Sequence, residues 1–463
     1  MSDIAENETR WWNARFSQLL IGAMAIGLAI RLGFVIGRQS SVVITGGDAF
    51  WYHFQAKLVA EGKGFLHPFY YFKEHLSVPG ADHPPGFVVI LAALDLIGIG
   101  SPQGQRVVMT LLGTASIGVV GLLGRRIANE RVGLIAAILS AVYPNFWIND
   151  GMLMVETVFI LATAVALLFT YRYLATVVVL DAVVVSVAIT VAAMVRPEAL
   201  LLFAIICSPL VWRKASAWKT RISHLAVMAV VPMAAFAPWV IYNLGRFETP
   251  VLISTGAGQT LAVGNCDLTY HGDFLGFYDT KCLLPPQIEP PDLDDLSLAD
   301  IEYRRIALEY MSNHQRRLPV VMAARVGRQW HLFRPGQSIG LDGYVEGRSG
   351  GPPGSSFWPV REALWSYYVL MPLAIAGLVL LRRRRTAIWP LLAQPALVTF
   401  VAASTFGITR YRAGAEITIV VAAAVALDMA IRRMLGESSD EQEQPDAPPG
   451  DVVEIETGVS IEH

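Results

Sequence analysis

Eleven apolar stretches alternate with polar segments along the chain, and each approaches the length of a membrane-spanning helix. They lie near residues 17–37, 84–100, 105–124, 132–148, 152–174, 177–195, 197–212, 222–244, 365–381, 386–404 and 413–431. The first stretch, Ser17 to Gly37, lacks the short apolar core and small-residue cleavage site of a removed signal, so it predicts a signal anchor. The pattern predicts an all-α polytopic membrane protein.

Clusters of Lys and Arg indicate how many stretches cross the membrane, because such residues in short loops lie on the cytoplasmic side. The clusters lie at residues 125–131, 172, 213–221, 382–385 and 432–433. Eleven spans with the N-terminus inside would place the clusters at 125–131 and 213–221 outside, contrary to this rule. If the stretch from Pro84 to Gly100 lies along the outer interface instead, every cluster becomes cytoplasmic. We therefore predict about ten transmembrane helices with both termini in the cytoplasm.

This topology divides the chain into five parts. They are a cytoplasmic N-terminus, 1–16; a transmembrane module, 17–244, that includes an outer loop, 38–104; an extracytoplasmic loop domain of mixed structure, 245–364; C-terminal transmembrane helices, 365–435; and a cytoplasmic tail, 436–463. In the large loop, an apolar face at helical spacing predicts a helix through Tyr303, Ile306, Ala307, Tyr310 and Met311.

Composition agrees with a membrane protein, since 54% of the 463 residues are apolar and only 16% are charged. The tail holds nine of the 38 acidic residues and none of the 36 basic ones, which predicts a disordered segment. Membrane lipids are the expected surroundings, and we expect no nucleic-acid partner.

The cysteines are compatible with this topology. Cys266 and Cys282 fall in the large outer loop, where a disulfide would persist, whereas Cys207 lies in a predicted span. The two loop cysteines are therefore a disulfide candidate. The alternative is a pair of unbonded thiols that share a loop.

Ionisable residues gather at the predicted outer ends of the spans. Such groups are costly at membrane depth unless they are paired, hydrated or used, so their gathering is a functional indication. They are Asp48, His53, His83, Arg106, Asp150, Glu156, Arg196, Glu198, Arg410, Arg412 and Glu416.

Two carboxylates are candidates for chemistry. Asp48 follows two glycines and precedes an aromatic cluster, so a partly desolvated carboxylate with a raised pKa could act as a general base. Its alternative role is the N-cap of a helix from Ala49 to Glu61. Glu156 would orient the acceptor or a metal, or would only pair with Arg196.

Three arginines and one histidine could bind an anion. Arg196, Arg410 and Arg412 lie at short outer turns, contrary to the positive-inside rule, and guanidinium groups bind phosphate through paired hydrogen bonds. Structural pairing with nearby glutamates is the alternative. His83 could contact a phosphate oxygen or a metal, or could be an ordinary loop histidine.

The chain contains no Gly-rich phosphate loop ending in Lys-Ser or Lys-Thr, no Cys/His set with metal-binding spacing and no Ser/His/Asp arrangement. Nucleotide hydrolysis is therefore not the expected energy source. A reaction at the outer face would need an activated lipid.

Taken together, these residues resemble the GT-C superfamily of glycosyltransferases. The resemblance is to the polyprenyl-phosphate-sugar-dependent branch of protein O-mannosyltransferases and aminoarabinose transferases, similar to glycosyltransferase family 39. It rests on Gly47-Asp48, Tyr52, Gly62-Lys63-Gly64, His83-Pro84-Pro85-Gly86, Glu156, Arg196-Pro197, Pro238-Trp239, Asn243, Gly264-Asn265 and Arg410-Tyr411-Arg412.

The resemblance implies an inverting glycosyltransferase, metal-independent or assisted by a divalent metal, with interfacial helices in its first outer loop. It would move a sugar from a polyprenyl-phosphate donor to a hydroxyl of a glycan, lipid or protein, at the extracytoplasmic face of the plasma membrane. The high content of Ala, Val, Arg and Gly is compatible with a bacterial protein. Asp48 maps to the family's first-loop acid. Ala49 stands where many members carry a second acid, which shifts a two-carboxylate role toward Glu156. The implied substrate-binding residues are Tyr52, His83, Glu156, Arg196, Arg410 and Arg412.

Two other classes remain as alternatives. A transporter or flippase of a lipid-linked or anionic substrate would place functional charges near the bilayer midplane and show inverted repeats. A scaffold or sensor would bind partners through the large loop and the tail. Release of polyprenyl phosphate would distinguish the enzyme from both.

Overall fold

The computed structural model describes residues 14–215, 217–285, 295–351 and 355–436. The regular secondary structure of this part of the chain is helical, with no strand and one isolated bridge between Leu66 and Pro79. The predicted cytoplasmic N-terminus up to Asn13 and the acidic tail from Glu437 lie outside the described residues.

The helices are numbered in chain order. They are α1 Ala14–Gln39, α2 Gly47–Ala60, α3 Gly86–Leu96, α4 Pro102–Ile127, α5 Glu130–Val142, α6 Pro144–Gly151, α7 Glu156–Thr176, α8 Val179–Val195, α9 Ser208–Lys214, α10 Trp218–Leu244, α11 Ala257–Ala262, α12 Leu296–Asn313, α13 Leu318–Gln329, α14 Trp358–Arg383, α15 Trp389–Ser404 and α16 Ala413–Met434. Short turns of helix lie at Tyr70–Glu74, Pro197–Leu200, Phe203–Cys207, Asp267–Tyr270, Thr280–Leu283, Pro335–Gly340, Leu341–Val345 and Thr409–Arg412.

Six helical segments of the described chain are long and apolar enough to cross a membrane. They are α1, α4, α7, α10, α14 and the continuous segment Thr409–Met434 that contains α16. The bent pair of α5 and α6, with a 62° break, makes a possible seventh. Helices α8 and α15 are apolar but have only 17 and 16 residues. Helical segments thus occupy all ten predicted spans, although fewer than ten have the full length.

Helix α3 occupies the apolar stretch that we predicted not to cross. Its 11 residues rise only about 16 Å, about half the thickness of the hydrocarbon core. It packs against α2. The length agrees with a helix that lies beside the bundle rather than through it.

Local sequence signals begin several helices. The hydroxyl of Ser101 accepts a hydrogen bond from the backbone N–H of Gly104 at the start of α4, where Pro102 occupies the first helical position. The side chain of Asn129 caps α5 in the same way, by accepting from the N–H of Val132. These caps mark helix ends that the apolar pattern alone places only approximately.

Helix α16 runs through the centre of the bundle, and most of its apolar residues are fully buried. It packs against α14, where Gly377 allows the close approach: a Cβ on Gly377 would lie 1.8 Å from the carbonyl oxygen of Ala422. By contrast, α10 is mostly exposed and lies at the periphery. The turn Thr409–Arg412, at the start of α16, is therefore held by the core of the bundle.

A buried ion pair joins α1 to α6 inside the bundle. Arg31 Nε lies 2.8 Å from Asp150 Oδ2, and both side chains are buried. Arg31 also donates to the carbonyl oxygens of Ser140 and Gly27, and Asp150 accepts from the hydroxyl of Thr157. The pair satisfies two charges that would otherwise be costly in an apolar interior.

The described residues of the predicted loop domain 245–364 form helices and irregular segments. Helix α12 coincides with the predicted apolar face, and Tyr303 and Ala307 are buried. Cys266 and Cys282 form a disulfide with a Cα–Cα distance of 5.7 Å, whereas Cys207 is a buried free thiol. The disulfide closes a loop that includes Tyr278.

Candidate active site

Asp48 lies in the first turn of α2. Gly46 is extended, and Gly47 has φ +67°, a conformation that glycine adopts without steric cost. The N-cap is Gly46, and no side chain caps the helix. The N-capping interpretation of Asp48 is therefore wrong, although its carboxylate still lies near the positive end of the helix dipole.

Arg410 contacts three carboxylates that come from distant parts of the chain. Its Nη1 lies 2.9 Å from Asp48 Oδ2, and its Nε lies 3.2 Å from Glu346 Oε2 and 3.6 Å from Glu156 Oε1. Arg196 Nη2 binds the same oxygen of Glu156 at 2.5 Å. We call these five residues, Asp48, Glu156, Arg196, Glu346 and Arg410, the ionic cluster.

Arg196 joins the cluster from the turn that follows α8. Besides Glu156, it contacts Glu198 at 3.1 Å, and its guanidinium lies 4.7 Å from the centre of the Tyr411 ring. The pairing of Glu156 with Arg196, one of the two interpretations of Glu156, is therefore present. It does not remove the other role, because Oε2 of Glu156 is buried without a hydrogen-bond partner among the described residues.

The three carboxylates that contact Arg410 differ in their exposure to solvent. The Asp48 side chain is 36% exposed, whereas those of Glu156 and Glu346 are 1% and 3% exposed. Asp48 is thus the carboxylate that a substrate entering the site can reach directly. Glu156 and Glu346 are almost fully buried.

The pKa of Asp48 is below its ordinary value in this ligand-free arrangement. Burial acts to raise the pKa, but the positive charge of Arg410, then that of His83, and the hydrogen bond from Arg410 together lower it. Our expectation of a raised pKa is therefore wrong for the ligand-free chain. While it is paired with Arg410, the Asp48 carboxylate is a weak base. It becomes a stronger base when Arg410 binds another group.

His83 and Tyr52 form the wall beside Asp48. Nε2 of His83 lies 3.9 Å from Asp48 Oδ1, and its ring packs against that of Tyr52, with 4.7 Å between centroids and an angle of 37° between the planes. Trp51 meets the same imidazole edge-on at 4.8 Å. Burial, and then the charges of Asp48 and Glu156, raise the pKa of the Tyr52 phenol well above its ordinary value, so the hydroxyl stays protonated.

Arg412 is buried in a neighbouring cluster. Its Nε lies 2.7 Å from Glu416 Oε1, its Nη1 donates to the carbonyl oxygen of Gln329, and its guanidinium stacks over Tyr367 at 3.9 Å. Tyr143 donates to the other oxygen of Glu416. In the structure, Arg412 holds helices together, and its predicted contact with substrate stays a prediction.

The turn that carries Arg410 is fixed by a second buried pair. Thr409 donates a hydrogen bond of 2.6 Å to Asp342 Oδ2, and the ring of His331 lies beside the same hydroxyl at 3.4 Å. Burial raises the pKa of Asp342 to about 6, although Arg348 and Thr409 act in the opposite direction. Asp342 and Glu346 thus tie one segment to the turn Thr409–Arg412.

A metal ion does not fit this arrangement of the carboxylates. Among the described residues, no group of three His, Cys, Asp or Glu side chains has the geometry to hold one. The positive charge between Asp48, Glu156 and Glu346 is the guanidinium of Arg410.

The structure brings six of the seven predicted catalytic and binding residues together: Asp48, Tyr52, His83, Glu156, Arg196 and Arg410. Two residues of the site, Glu346 and Tyr278, were not predicted from the sequence. The hydroxyl of Tyr278 donates a hydrogen bond of 2.6 Å to Glu346 Oε1. Both lie inside the large loop, where no spacing or hydropathy signal distinguishes them from other acidic and aromatic residues. Only proximity to Arg410 identifies them.

A known protein family matches a part of the chain that contains several residues of the candidate site. The family model described as dolichyl-phosphate-mannose-protein mannosyltransferase matches residues 82–242. This range contains His83, Glu156 and Arg196, but neither Asp48 nor Arg410. No curated protein matches the sequence significantly.

Solved structures extend the comparison to nearly the whole chain. The oligosaccharyltransferase of Archaeoglobus fulgidus, tethered to an acceptor peptide with the NVT sequon, matches with a TM-score of 0.50 and 15% identity, over 93% of this chain and 52% of that one. The chain has a GT-C-type fold. The fold that the resemblance in the sequence implied is thereby confirmed.

Two further structures of the Archaeoglobus fulgidus enzyme are similar to this GT-C-type chain. The apo form has a TM-score of 0.49 and 16% identity over 90% of this chain and 52% of that one. The complex of the enzyme, AglB, with an inhibitory peptide and a dolichol-phosphate has a TM-score of 0.49 and 15% identity, over 92% and 52%. This chain therefore spans about half the length of the solved structures that it matches.

Proposed function

We propose that the chain is an inverting glycosyltransferase that moves a sugar from a polyprenyl monophosphate to a hydroxyl of a glycan, lipid or protein acceptor. The observation that carries the proposal is Arg410, a largely buried guanidinium held among three carboxylates beside an apolar helix bundle. A lipid phosphate needs such a cation near the membrane, and an attacking hydroxyl needs such a carboxylate. The matched family description names the same donor class.

The position of each side chain in the site determines its proposed role in the transfer reaction. The acceptor oxygen attacks the anomeric carbon, its proton passes to Asp48, and the bond between that carbon and the phosphate oxygen breaks. Arg410 stabilises the departing phosphate, assisted by His83 and Arg196. Once ligand binding displaces the groups that cover it, the unpartnered oxygen of Glu156 accepts a hydrogen bond from the acceptor and orients it.

Donor binding would also activate the base. Arg410 lowers the pKa of Asp48 in the ligand-free chain. When phosphate oxygens take over the guanidinium, this influence weakens and Asp48 becomes a stronger base. Proton transfer is thereby coupled to the presence of the donor, which limits unproductive chemistry.

We further propose that this site faces the extracytoplasmic side of a bacterial plasma membrane and that both termini are cytoplasmic. The distribution of Lys and Arg supports this orientation. The disulfide supports it as well, because such bonds persist outside the cytoplasm.

The proposal is tested with the full chain in lipid nanodiscs, supplied with polyprenyl-phosphate sugars and hydroxyl acceptors. Acceptor-dependent release of polyprenyl monophosphate is expected from the wild type, and an Asp48→Asn variant should lose roughly 100- to 10,000-fold in rate. Glu302→Gln, a charge change on exposed α12, is the matched control. Full activity in a correctly inserted Asp48→Asn protein contradicts the base assignment, and absence of release from any donor contradicts the function.

A further inference from the structure

Glu346 differs from the other two carboxylates that contact Arg410. Glu156 has a second cation, Arg196, at 2.5 Å, and Asp48 has His83 at 3.9 Å. Among the described residues, Arg410 is the only cation within salt-bridge distance of Glu346. Three carboxylates thus share two guanidinium groups. Glu346 is the carboxylate whose negative charge is paired with Arg410 alone.

The contact between Glu346 and Arg410 is close but poorly aligned. Oε2 of Glu346 lies 3.2 Å from Nε of Arg410, yet this buried N–H has no acceptor in hydrogen-bonding geometry among the described residues. A guanidinium binds phosphate best through two parallel N–H groups. The Nε edge of Arg410 therefore retains an unused donor, which a phosphate oxygen would satisfy better than Glu346 does.

The backbone around Glu346 favours movement. The preceding residues, Tyr344 and Val345, are 81% and 47% exposed, so little packs against this side of the turn. Gly347, at φ +66°, follows directly. Anchors lie on either side: Asp342 binds Thr409, and Arg348 donates to Asn149 at 3.1 Å. The turn between the anchors can shift without unfolding the rest.

We propose that Glu346 is an internal competitor of the donor phosphate: its carboxylate occupies the Nε side of Arg410 in the ligand-free chain, and the donor displaces it. This inference rests on the proposed function, since it assumes that Arg410 binds the phosphate of the lipid donor. Two like charges cannot share one guanidinium edge without repulsion, so binding of the phosphate and release of Glu346 are one event.

Tyr278 holds Glu346 in the position next to Arg410. Its hydroxyl donates to Oε1 of Glu346 at 2.6 Å and so holds the carboxylate in its resting position. Loss of this bond leaves the charge in place and makes it easier to displace. Glu346 thus acts as a specificity residue, because only an anion that binds Arg410 more strongly than a carboxylate gains entry.

The test measures equilibrium binding of radiolabelled polyprenyl monophosphate, without sugar, to the full chain in nanodiscs. Glu346→Gln keeps the size of the side chain and its hydrogen bond to Tyr278 but removes the competing charge. We expect it to bind the probe roughly 5- to 30-fold more tightly than the wild type. Tyr278→Phe should bind more tightly by a smaller factor, and Glu302→Gln should bind as the wild type does.

Arg410→Gln separates this inference from the proposed function. If it binds the probe as well as the wild type, the phosphate site is elsewhere, and both proposals are overturned. If it loses binding while Glu346→Gln and Tyr278→Phe show no gain, the phosphate site stands and the competition by Glu346 is refuted. Weaker binding by Glu346→Gln would show that Glu346 assists the phosphate, again against the inference. Should Glu346→Gln fail to fold, the result for Tyr278→Phe decides.

Discussion

Asp48 and Arg410 lie 362 positions apart in the sequence, yet Asp48 Oδ2 accepts a hydrogen bond of 2.9 Å from Nη1 of Arg410. The contact joins the first turn of α2 to the turn that precedes α16. Since α16 is buried at the centre of the bundle, the position of Arg410 depends on the packing of the whole molecule. The candidate site therefore exists only in the folded chain.

The pH dependence of kcat/KM should report this pair. Because the pKa of Asp48 is lowered below its ordinary value of 3.8 in the ligand-free chain, the base is ionised throughout the range from pH 5 to 7, and its acidic limb in kcat/KM should lie below that range. The acidic limb of kcat should lie at higher pH, since bound phosphate engages Arg410. An acidic limb of kcat/KM near pH 6 that disappears in Asp48→Asn would contradict the assignment.

Replacement of Arg410 should impair catalysis. Arg410→Gln is expected to lower kcat by roughly 100- to 1000-fold, as loss of a donor to a developing negative charge commonly does. Arg410→Lys keeps the charge but loses the paired geometry, so we expect partial activity. The measurement is steady-state transfer, with Glu302→Gln as control. Equal activity of the lysine and glutamine variants would show that charge is not the decisive property.

Asp342 should make stability depend on pH. Its folded pKa is about 6, against 3.8 for the ordinary group, so the folded state binds the proton more tightly and the free energy of unfolding falls as pH rises from about 4 to 6. Asp342→Asn, which mimics the protonated form, should be more stable than the wild type at pH 8 by roughly 1–3 kcal/mol, and equally stable at pH 4. Thermal unfolding in mild detergent measures this, and a constant difference across pH would refute it.

The buried pair of Arg31 and Asp150 should show strong coupling. Arg31→Met leaves the Asp150 carboxylate buried without its cation and should cost roughly 3–5 kcal/mol of stability. The double variant Arg31→Met/Asp150→Asn removes both charges and keeps an acceptor for Thr157. It should therefore cost less than the sum of the two single changes. Additive costs in this double-mutant cycle would mean that the pair contributes nothing as a pair.

The disulfide should stabilise the loop that carries Tyr278. Reduction, or Cys266→Ser/Cys282→Ser, is expected to lower stability by about 2–4 kcal/mol, because the 16-residue separation no longer restricts the unfolded chain. Cys207→Ala tests whether reductant acts through the free thiol, and its response to reductant should match that of the wild type. No change in unfolding temperature on reduction of the bond would contradict a stabilising role.

The sequence by itself determined the membrane character of the chain, its helical segments and the pool of ionisable residues from which the site is drawn. Apolar length, caps such as Ser101 and Asn129, and the spacing around Tyr303 are local properties, so they can be interpreted without the fold. Asp48, Glu156, Arg196 and Arg410 were found in this way, because charged residues at the ends of apolar helices are costly and therefore conspicuous.

Tertiary structure alone decided how these charges are shared. Glu346 and Tyr278 enter the site from a loop with no distinguishing pattern, and Arg412 turns toward Glu416 although it stands two residues from Arg410. The lowered pKa of Asp48 likewise depends on a cation 362 positions away. Coulomb interactions and hydrogen bonds depend on distance in space, and the distances between remote segments are set by helix packing rather than by neighbouring residues.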